Sequence, residues 1–426
     1  MNAPKVAVGI LESRQIKFSL KGQYQSYGVF QPKDNCVSYK DGKVQWMDSL
    51  YDELLFEPST DDCSFELFDV VIGIQFHWER SENQIFEGAL KIIAEHGKLR
   101  AINIVDIEAY ICSVISSEMS ATASLSLLQA HAVISRSWLL AQIAKQKTLG
   151  EYATCHQTSD SIIKWYDRED HDSFDVCADD HCQRYQGITR SSTELVKHAV
   201  SGTRGQVLCY GSKICDARFS KCCGGAVEEF QNCWEDTKHP YLSKLRDYQD
   251  SSNLPDLCQE DMAQKWIRSS PPAFCNTQDQ NILSQVLNNY DQETNDFYRW
   301  KVIYTAKELT QLVLERSGID FGLITDLIPV ERGTSARLIK LNIVGSLKTL
   351  TIGKELEIRR SLSPSHLYSS AFVIDKEDDK FILTGAGWGH GVGLCQIGAA
   401  VMGEGGHAYS DILLHYYPGA SIEEKY

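Results

Sequence analysis

Positive charge is scarce in this sequence of 426 residues. Asp and Glu number 57 against 42 Lys and Arg, which gives a formal net charge of −15 at pH 7. General nucleic-acid binders present clustered Lys and Arg to the phosphates, so this balance argues against that class of protein. It argues more weakly against binding at anionic membrane surfaces.

Long apolar runs are also missing. No stretch approaches the roughly 18 consecutive apolar residues that a membrane-spanning helix requires. The first ten residues lack the basic start and the apolar block of a secretory signal. We therefore expect no transmembrane segment. We expect either a cytoplasmic protein or one whose signal has been removed, and the sequence leaves both open.

The motifs that hold nucleotide phosphates are absent from the most glycine-rich part of the chain. Glycine occupies every second position from Gly385 to Gly393 and frames a single titratable side chain, His390. No register supplies the three glycines of Gly-x-Gly-x-x-Gly, and no Gly-Lys-Ser/Thr follows. Glycine gives up packing and costs backbone entropy, so the run predicts a backbone that bends sharply or lets something large come close.

Cysteine, by contrast, is abundant. The chain has 14 cysteines, and eight of them lie between Cys155 and Cys233. A chain of this length and composition does not need disulfides for stability, although an even count is compatible with them. We expect a metal site to account for part of this concentration.

The residue pattern predicts an α+β fold, in which a strand-rich scaffold carries an inserted helical pair and an irregular region rich in Cys and His. Short β-branched segments, such as residues 6–10, are separated by Gly, Asp and Ser. Asp106 is expected to cap one helix, and a second is expected over about 124–147. Strand patterns return at 338–343 and 349–352.

These patterns divide the chain into four parts. They are an N-terminal strand-rich part of the scaffold at 1–105, a helical pair with a Cys/His-rich catalytic region at 106–250, a variable inserted segment at 251–330, and C-terminal strands with the glycine run at 331–426. The inserted segment is rich in Ser, Pro, Asn and acidic residues, which is typical of a surface excursion.

Four blocks of the sequence together resemble one known family. They are the glycine run with residues 412–419, Glu118-Met119 with residues 128–138, residues 171–187, and residues 219–225 ahead of Trp234. In this order they resemble the SpoIID/LytB family, named after stage II sporulation protein D. Leu394 and Cys395 stand where members usually carry Met and Ser, while Gln129 and His131 replace Lys and Gln.

The resemblance implies a lytic transglycosylase that cleaves the glycan strands of peptidoglycan, with a preference for glycan stripped of stem peptides. It assigns the role of catalytic acid/base to Glu118. A carboxyl group at the end of an apolar helix is partly desolvated, which suits it to hold a proton near neutral pH. Relatives of the LytB type are amidase enhancers, so a wall-binding module that stimulates a cell-wall amidase stays open as an alternative. An ordinary solvated Glu at a helix end also stays open.

Five further residues are candidates for contact with the substrate. They are His390, Gln396, Arg136, Ser220 and Trp388. The resemblance implies that the first two hold sugar hydroxyl or acetamido groups near Glu118, with the glycines letting the glycan approach. Arg136 pairs with the muramoyl carboxylate or buttresses the fold. Ser220 lacks the Gly-x-Ser-x-Gly surroundings of a nucleophile.

A zinc site is expected in the third block. His171, Cys177, His181 and Cys182 are sufficient in type for tetrahedral Zn²⁺. Because His181 and Cys182 are adjacent, three protein ligands are as plausible as four. The role expected of the metal is structural or site-shaping. The vicinal pair Cys222-Cys223 is open to three interpretations, as redox-active thiols, as extra ligands or, preferably, as structural thiols in a bend.

Overall fold

The computed structural model describes residues 3–27, 29–73, 79–120, 123–146, 154–165, 171–179, 182–189, 192–250, 253–286 and 296–426. The chain is 25% helical and 38% strand, so the predicted α+β class is confirmed. No helix within these ranges is long and apolar enough to cross a membrane.

Two sheets form the N-terminal part. The strands of the first are, in spatial order, Val176–Cys177, Lys5–Ser13, Lys98–Asp106, Ala89–Glu95, Glu53–Pro58, Tyr24–Ser26 and Val29–Phe30. Those of the second are Arg80–Glu87, Ser64–Ile72, Gln15–Lys21, Asp34–Lys40, Lys43–Trp46 and Ser49–Tyr51. Rings from both sheets interlock in the core: Phe56 of the first lies edge-on to Phe18 and Trp46 of the second, at 5.0 and 5.3 Å.

The predicted helical pair follows the first sheet directly. Helix α1 spans Ile107–Glu118 and helix α2 spans Leu125–Gln146. The Asp106 carboxylate accepts a hydrogen bond from the Glu108 backbone N–H at 2.8 Å, which confirms the predicted cap. Apolar residues on α1 and α2 are buried in the same core as the N-terminal sheets, so both helices are fixed to the scaffold.

A buried ion pair joins the two helices. The Arg136 guanidinium of α2 is fully buried and donates to both carboxylate oxygens of Glu108 in α1, at 3.0 and 2.7 Å. Glu108 also accepts from the Tyr426 hydroxyl at 2.6 Å and from the Gly205 N–H at 3.3 Å. Both carboxylate oxygens of Glu108 and all three guanidinium nitrogens of Arg136 thus have hydrogen-bond partners, as a buried ion pair requires.

The remaining helices are mostly short. They are α3 Glu194–Gly202, α4 Glu260–Arg268, α5 Gln280–Val286, α6 Ala306–Ser317, α7 Glu355–Ser361, α8 Gln396–Glu404 and α9 Tyr409–Tyr416, with a 3₁₀ turn at Phe230–Asn232. The segment predicted as a variable insertion thus contains helices of its own. Helix α4 is held to the C-terminal strands by the Arg268 guanidinium, which donates to both oxygens of Asp375.

Smaller sheets build the C-terminal half. They are Cys155–Gln157 with Ser161–Lys164, Thr349–Gly353, Leu338–Gly345 and Ile324–Arg332; Arg299–Thr305 with Lys380–Ala386 and Phe372–Glu377; Lys213–Ile214 with Gln206–Tyr210 and Ser421–Glu424; and the pairs Phe219–Ser220 with Leu394–Cys395 and Ala226–Val227 with Leu245–Arg246. The predicted strands at 338–343 and 349–352 are confirmed. Residues 394–395 pair as a strand, and helix α8 follows at Gln396.

We predict that Arg136→Met lowers the free energy of unfolding by about 3–5 kcal/mol, because it leaves the Glu108 carboxylate buried without a cation. Adding Glu108→Gln should recover part of that loss, since the unpaired charge is then gone. Urea unfolding monitored by circular dichroism measures both. The control is Lys197→Ala, which breaks an exposed pair on α3 and should change little. A loss of unfolding free energy in Arg136→Met no larger than in the control would contradict a stabilising role for the buried ion pair.

Candidate functional site

The glycine run forms a tight loop whose alternate residues face other parts of the same chain. The backbone φ angles are positive at four of its glycines: they are 76° at Gly387, 92° at Gly389, 76° at Gly391 and 71° at Gly393. A Cβ atom on Gly393 would lie 2.0 Å from the Arg218 carbonyl oxygen, and one on Gly387 would lie 2.7 Å from the Cys222 carbonyl oxygen. The large neighbour that the sequence anticipated is therefore the protein's own backbone.

The segment from Phe219 to Glu228 lies alongside this loop. Phe219–Ser220 pairs in parallel with Leu394–Cys395, and isolated bridges join Cys222 to Trp388 and Glu228 to Val392. Two of the four blocks singled out in the sequence thus form one unit, although they are separated by about 170 residues.

Two buried charged residues hold the loop, and neither was singled out in the sequence. The Arg337 guanidinium donates to the Gly389 carbonyl at 3.2 and 3.1 Å and to the Cys223 carbonyl at 3.2 Å. Glu228 accepts hydrogen bonds from the backbone and hydroxyl groups of Thr334 and Ser335 at 2.6–3.1 Å. A single sequence shows only an Arg and a Glu in polar surroundings, so no local signal distinguishes them.

His390 lies in this loop, partly buried against other side chains. Its Nδ1 accepts a hydrogen bond from the Val392 N–H at 3.0 Å, so Nε2 carries the proton of the neutral ring. The ring is edge-on to Trp234 at 4.8 Å, and the Arg218 guanidinium covers that indole at 4.4 Å. Burial, assisted by the nearby charges of Arg218 and other arginines, holds the pKa of His390 well below its usual range. The imidazole is therefore a neutral hydrogen-bonding group and not a cation.

Trp388 lies in the same loop, and Ser220 lies against it. The Trp388 indole is partly exposed, stacks on Phe297 at 4.7 Å and contacts Tyr368 at 4.7 Å. The Ser220 side chain is buried, and its Cβ would lie 3.1 Å from a Cβ atom added to Gly389. The Ser220 hydroxyl has no hydrogen-bond partner among the described residues. An aromatic face and an unsatisfied hydroxyl are both groups that a sugar can engage.

Gln396 links the loop to helix α2. Its side-chain nitrogen lies 3.0 Å from Nε2 of His131, whose Nδ1 lies 3.2 Å from the Ser135 hydroxyl. The His131 ring also contacts Phe219 edge-on at 4.7 Å. Burial lowers the pKa of His131 from 6.5 to about 3, with a smaller contribution from the Lys221 ammonium. Gln396 is itself buried, so this geometry favours a positioning role over direct contact with a sugar.

Arg136 is turned away from any ligand. Its guanidinium is fully enclosed and paired with Glu108, and it also donates to the Gln206 carbonyl at 2.9 Å. Of the two roles that the sequence left open, the geometry favours the buttress, because a muramoyl carboxylate cannot reach a buried, saturated guanidinium without separating the two helices.

Glu118 is the last residue of α1 and is partly exposed. Its neighbours Ser117 and Met119 are buried, so the carboxylate lies at the edge of the core. Within the described ranges it forms no hydrogen bond or ion pair. No contact joins it to His390 within these ranges, and a groove shared by the two stays a prediction.

The third sequence block places three of its four predicted metal ligands together. One ligand atom from each of His171, Cys177 and Cys182 lies within 4.8 Å of the others, and Nε2 of His171 is 3.5 Å from the Cys182 sulfur. We call these three residues the His171 group. His181, the fourth predicted ligand, lies outside the described residues. One imidazole and two thiols match the donor set that Zn²⁺ prefers, so the residues fit the metal.

The His171 group lies beside helix α1. The Tyr110 hydroxyl of α1 donates to the side-chain oxygen of Gln183 at 3.4 Å, next to Cys182 in the chain. Burial raises the pKa of Tyr110 well above its usual range, with added contributions from the two cysteines and from Glu118. The charges of the group and of the candidate acid therefore both influence the same tyrosine.

Comparisons with known proteins match two parts of the chain. The family described as "Stage II sporulation protein" matches residues 95–210, and a family described as a domain of unknown function matches residues 228–393. The first range contains Glu118 and the His171 group, and the second contains Arg337 and His390.

Curated relatives match over longer stretches. Stage II sporulation protein D of Bacillus subtilis is 25% identical over 329 residues, 76% of this chain and 76% of that protein. An uncharacterized protein of Brachyspira hyodysenteriae is 27% identical over 339 residues, 79% of this chain and 72% of that protein. An amidase enhancer of Bacillus subtilis is 25% identical over 250 residues, which are 56% of this chain and only 34% of that protein.

We predict that Gly391→Ala destabilises the fold more than Gly406→Ala does. Both glycines have positive φ, at 76° and 84°, so both substitutions carry a backbone cost of about 1 kcal/mol. Only at Gly391 does the new Cβ meet other atoms, 2.3 Å from the Arg337 guanidinium carbon, which adds about 1–3 kcal/mol. Urea unfolding of the two variants measures the difference, and equal losses would refute the loop packing described above.

We predict that part of the pH dependence of stability comes from His131. Its pKa is about 3 when folded and 6.5 in the reference state, so the unfolded chain binds a proton that the native protein does not. The contribution is complete above pH 6.5 and is lost as the pH falls toward 3, by up to about 1.4 kcal/mol per pH unit. His131→Gln should flatten the slope between pH 6.5 and 5, while His198→Gln on exposed α3 should keep it. Identical slopes in all three proteins would remove His131 as the cause.

Proposed function

Since the chain belongs to the SpoIID/LytB family, we propose that it is a lytic transglycosylase with Glu118 as its general acid/base. Family membership supports a cell-wall-related function. The proposed substrate is the glycan strand of peptidoglycan from which stem peptides have been removed. The proposed catalytic region is residues 106–250, completed by the glycine-rich loop in the C-terminal part, 331–426.

In the proposed reaction one carboxyl group acts twice. Protonated Glu118 gives its proton to the oxygen of the β-1,4 bond between N-acetylmuramic acid and N-acetylglucosamine, and the bond from that oxygen to the muramoyl C1 breaks. The carboxylate then removes the proton of the muramoyl 6-hydroxyl, whose oxygen bonds to C1. The products are a free 4-hydroxyl and a 1,6-anhydro ring. No water is consumed, and Glu118 ends protonated.

The observation that carries this proposal is the placement of Glu118. Its carboxylate stands at the edge of the core at the end of α1, without a hydrogen-bond or ion-pair partner in the part of the chain that the structure describes. A structural Glu at such a place is normally paired, as Glu108 is in the first turn of the same helix. A catalytic acid must instead be free to meet the glycosidic oxygen and, later, the 6-hydroxyl.

In this proposal some candidate residues touch the sugar and others only position the site. Trp388, a partly exposed residue of the loop, offers a ring face on which a pyranose can stack, and the Ser220 hydroxyl lacks a partner in the described parts of the chain. His390 presents a neutral imidazole beside Trp234. Gln396 and Arg136 are buried, so in this proposal they position the loop and the helices without touching the sugar.

The proposed metal site consists of the His171 group, with His181 as the possible fourth ligand from outside the described residues. Zinc held there would fix the loop that packs on Tyr110, two turns before Glu118 in α1. The proposed role is therefore to shape the site, since the chemistry above uses only a carboxyl group and the substrate's own hydroxyl.

A digestion of denuded glycan strands tests the proposal. The native chain is expected to release products that end in 1,6-anhydromuramic acid, detected by mass spectrometry, whereas Glu118→Gln should reduce their rate by at least about 10³-fold because an amide cannot donate that proton. The matched control is Glu194→Gln on the exposed face of α3, which should keep the native rate. Full activity in Glu118→Gln would eliminate the assigned acid.

A second function is favoured by one comparison. The similarity to an amidase enhancer supports a non-catalytic module that binds peptidoglycan and stimulates a cell-wall amidase. In the same assay, native protein that co-sediments with glycan but releases no anhydro products would support this alternative. Stimulation of a purified cell-wall amidase by both the native chain and Glu118→Gln would then support the enhancer function.

A further inference from the structure

A second group of metal-binding side chains lies buried behind the glycine-rich loop. It consists of Cys223, Asp247, Cys275 and Cys395, which we call the buried cluster. One ligand atom from each of the four lies within 4.8 Å of the others, and all four residues are buried. None of them belongs to the His171 group. Cys223 is one of the vicinal cysteines for which the sequence left an extra-ligand role open.

The distances within the buried cluster match those of a single tetrahedral ion. The sulfurs of Cys223 and Cys275 are 3.6 Å apart, and the Cys223 sulfur is 3.3 Å from an oxygen of Asp247. Around zinc, with bonds of about 2.3 Å to sulfur and 2.0 Å to oxygen, neighbouring sulfurs lie about 3.8 Å apart and a sulfur lies about 3.5 Å from an oxygen. A multi-iron cluster needs its cysteine sulfurs farther apart than this. The cysteines are free thiols and not disulfides.

The surroundings orient the ligands of the buried cluster. The Tyr416 hydroxyl donates to the other oxygen of Asp247 at 2.6 Å, so the carboxylate turns its second oxygen toward the sulfurs. The backbone N–H of Cys223 donates to the Cys395 sulfur at 3.2 Å. Hydrogen bonds of both kinds are typical of the shell around a metal site, where they fix ligand orientation.

Room for this shell is provided by a glycine of helix α8. A Cβ atom on Gly398 would lie 2.2 Å from the Tyr416 hydroxyl and 2.8 Å from Asp247. The helix therefore approaches the carboxylate as closely as a backbone can. The buried cluster is thus enclosed by specific packing, and its ligands are not solvated side chains that meet by chance.

The geometry points to a structural Zn²⁺ site formed by Cys223, Asp247, Cys275 and Cys395. Three thiolates and one carboxylate are a donor set that suits zinc, and four protein ligands close the coordination shell. A closed, buried site has no open position for a substrate, so the metal does not take part in catalysis. This inference does not depend on the proposed function.

The four ligands come from four separate segments of the chain. Cys223 follows the strand Phe219–Ser220, Asp247 follows Leu245–Arg246, Cys275 precedes α5, and Cys395 lies at the start of α8. An ion at this point ties the segment 253–286 to the back of the loop that carries His390. Its removal should therefore loosen the loop as well as that segment.

The first test leaves the buried cluster unchanged. In a full-length Cys177→Ser/Cys182→Ser variant, which lacks two ligands of the His171 group, we expect one equivalent of zinc per chain by elemental analysis. Replacement by Co²⁺ should produce the thiolate-to-cobalt charge-transfer band and the visible absorption of a tetrahedral ion. Absence of tightly bound metal in this folded variant would overturn the proposal, as would a mass under denaturing conditions that reveals a disulfide between Cys223 and Cys275.

The second test removes single ligands. Cys395→Ser and Asp247→Asn should each bind one equivalent of zinc fewer than the native chain, or bind it at least 10-fold more weakly in competition with a chelator. Cys215→Ser is the matched control, because Cys215 is equally buried but lies outside both groups. Its zinc content should equal that of the native chain. Unchanged zinc in both ligand variants would remove the buried cluster as a metal site.

Discussion

The close packing of the glycine-rich loop on the Arg337 guanidinium is the constraint on which the candidate site depends. The guanidinium donates to the Gly389 carbonyl and to the Cys223 carbonyl, so it fastens the two adjacent segments that carry three of the five candidate substrate-contact residues. A side chain at Gly391 would occupy the space of that guanidinium. The alternation of glycines thus follows from the need to bring two pieces of backbone within hydrogen-bonding distance of one buried charge.

A buried ion pair fastens the two helices to each other in the same way. Arg136 and Glu108 lock α1 to α2, and this fixes the direction in which α1 delivers Glu118 to the edge of the core. The His131–Gln396 contact then connects α2 to the start of α8. The helical pair and the loop are therefore parts of one framework, although no single contact joins Glu118 to His390 in the described residues.

The sequence predicted the parts that local patterns specify. Asp106 as a helix cap, the span of α2 and the strand at 338–345 follow from capping chemistry and hydrophobic periodicity, and the structure confirms them. The resemblance of separated blocks to one family did not indicate that residues 219–220 pair with residues 394–395, which is seen only in the structure.

Other features depend on contacts between distant residues and left no local trace. Glu228 and Arg337 owe their importance to partners about 50 to 110 positions away, and nothing adjacent to them in the chain signals a buried network. Arg136 was ambiguous for the same reason, since a helical Arg looks alike whether it faces solvent or a buried Glu. The sequence predicted close approach at the glycines of the loop. The groups that approach them belong to the protein itself, which is seen only in the packing.

The hydrogen bond from Tyr426 to Glu108 spans 318 positions. The strand Ser421–Glu424, which precedes Tyr426, also completes the small sheet beside α2 by pairing with Gln206–Tyr210. During synthesis on the ribosome, the helical pair emerges early but stays without this partner until the last of these residues has been translated. Contacts of such separation slow folding, so the Glu108 carboxylate acquires its full set of hydrogen bonds only after the C-terminal residues have been synthesised.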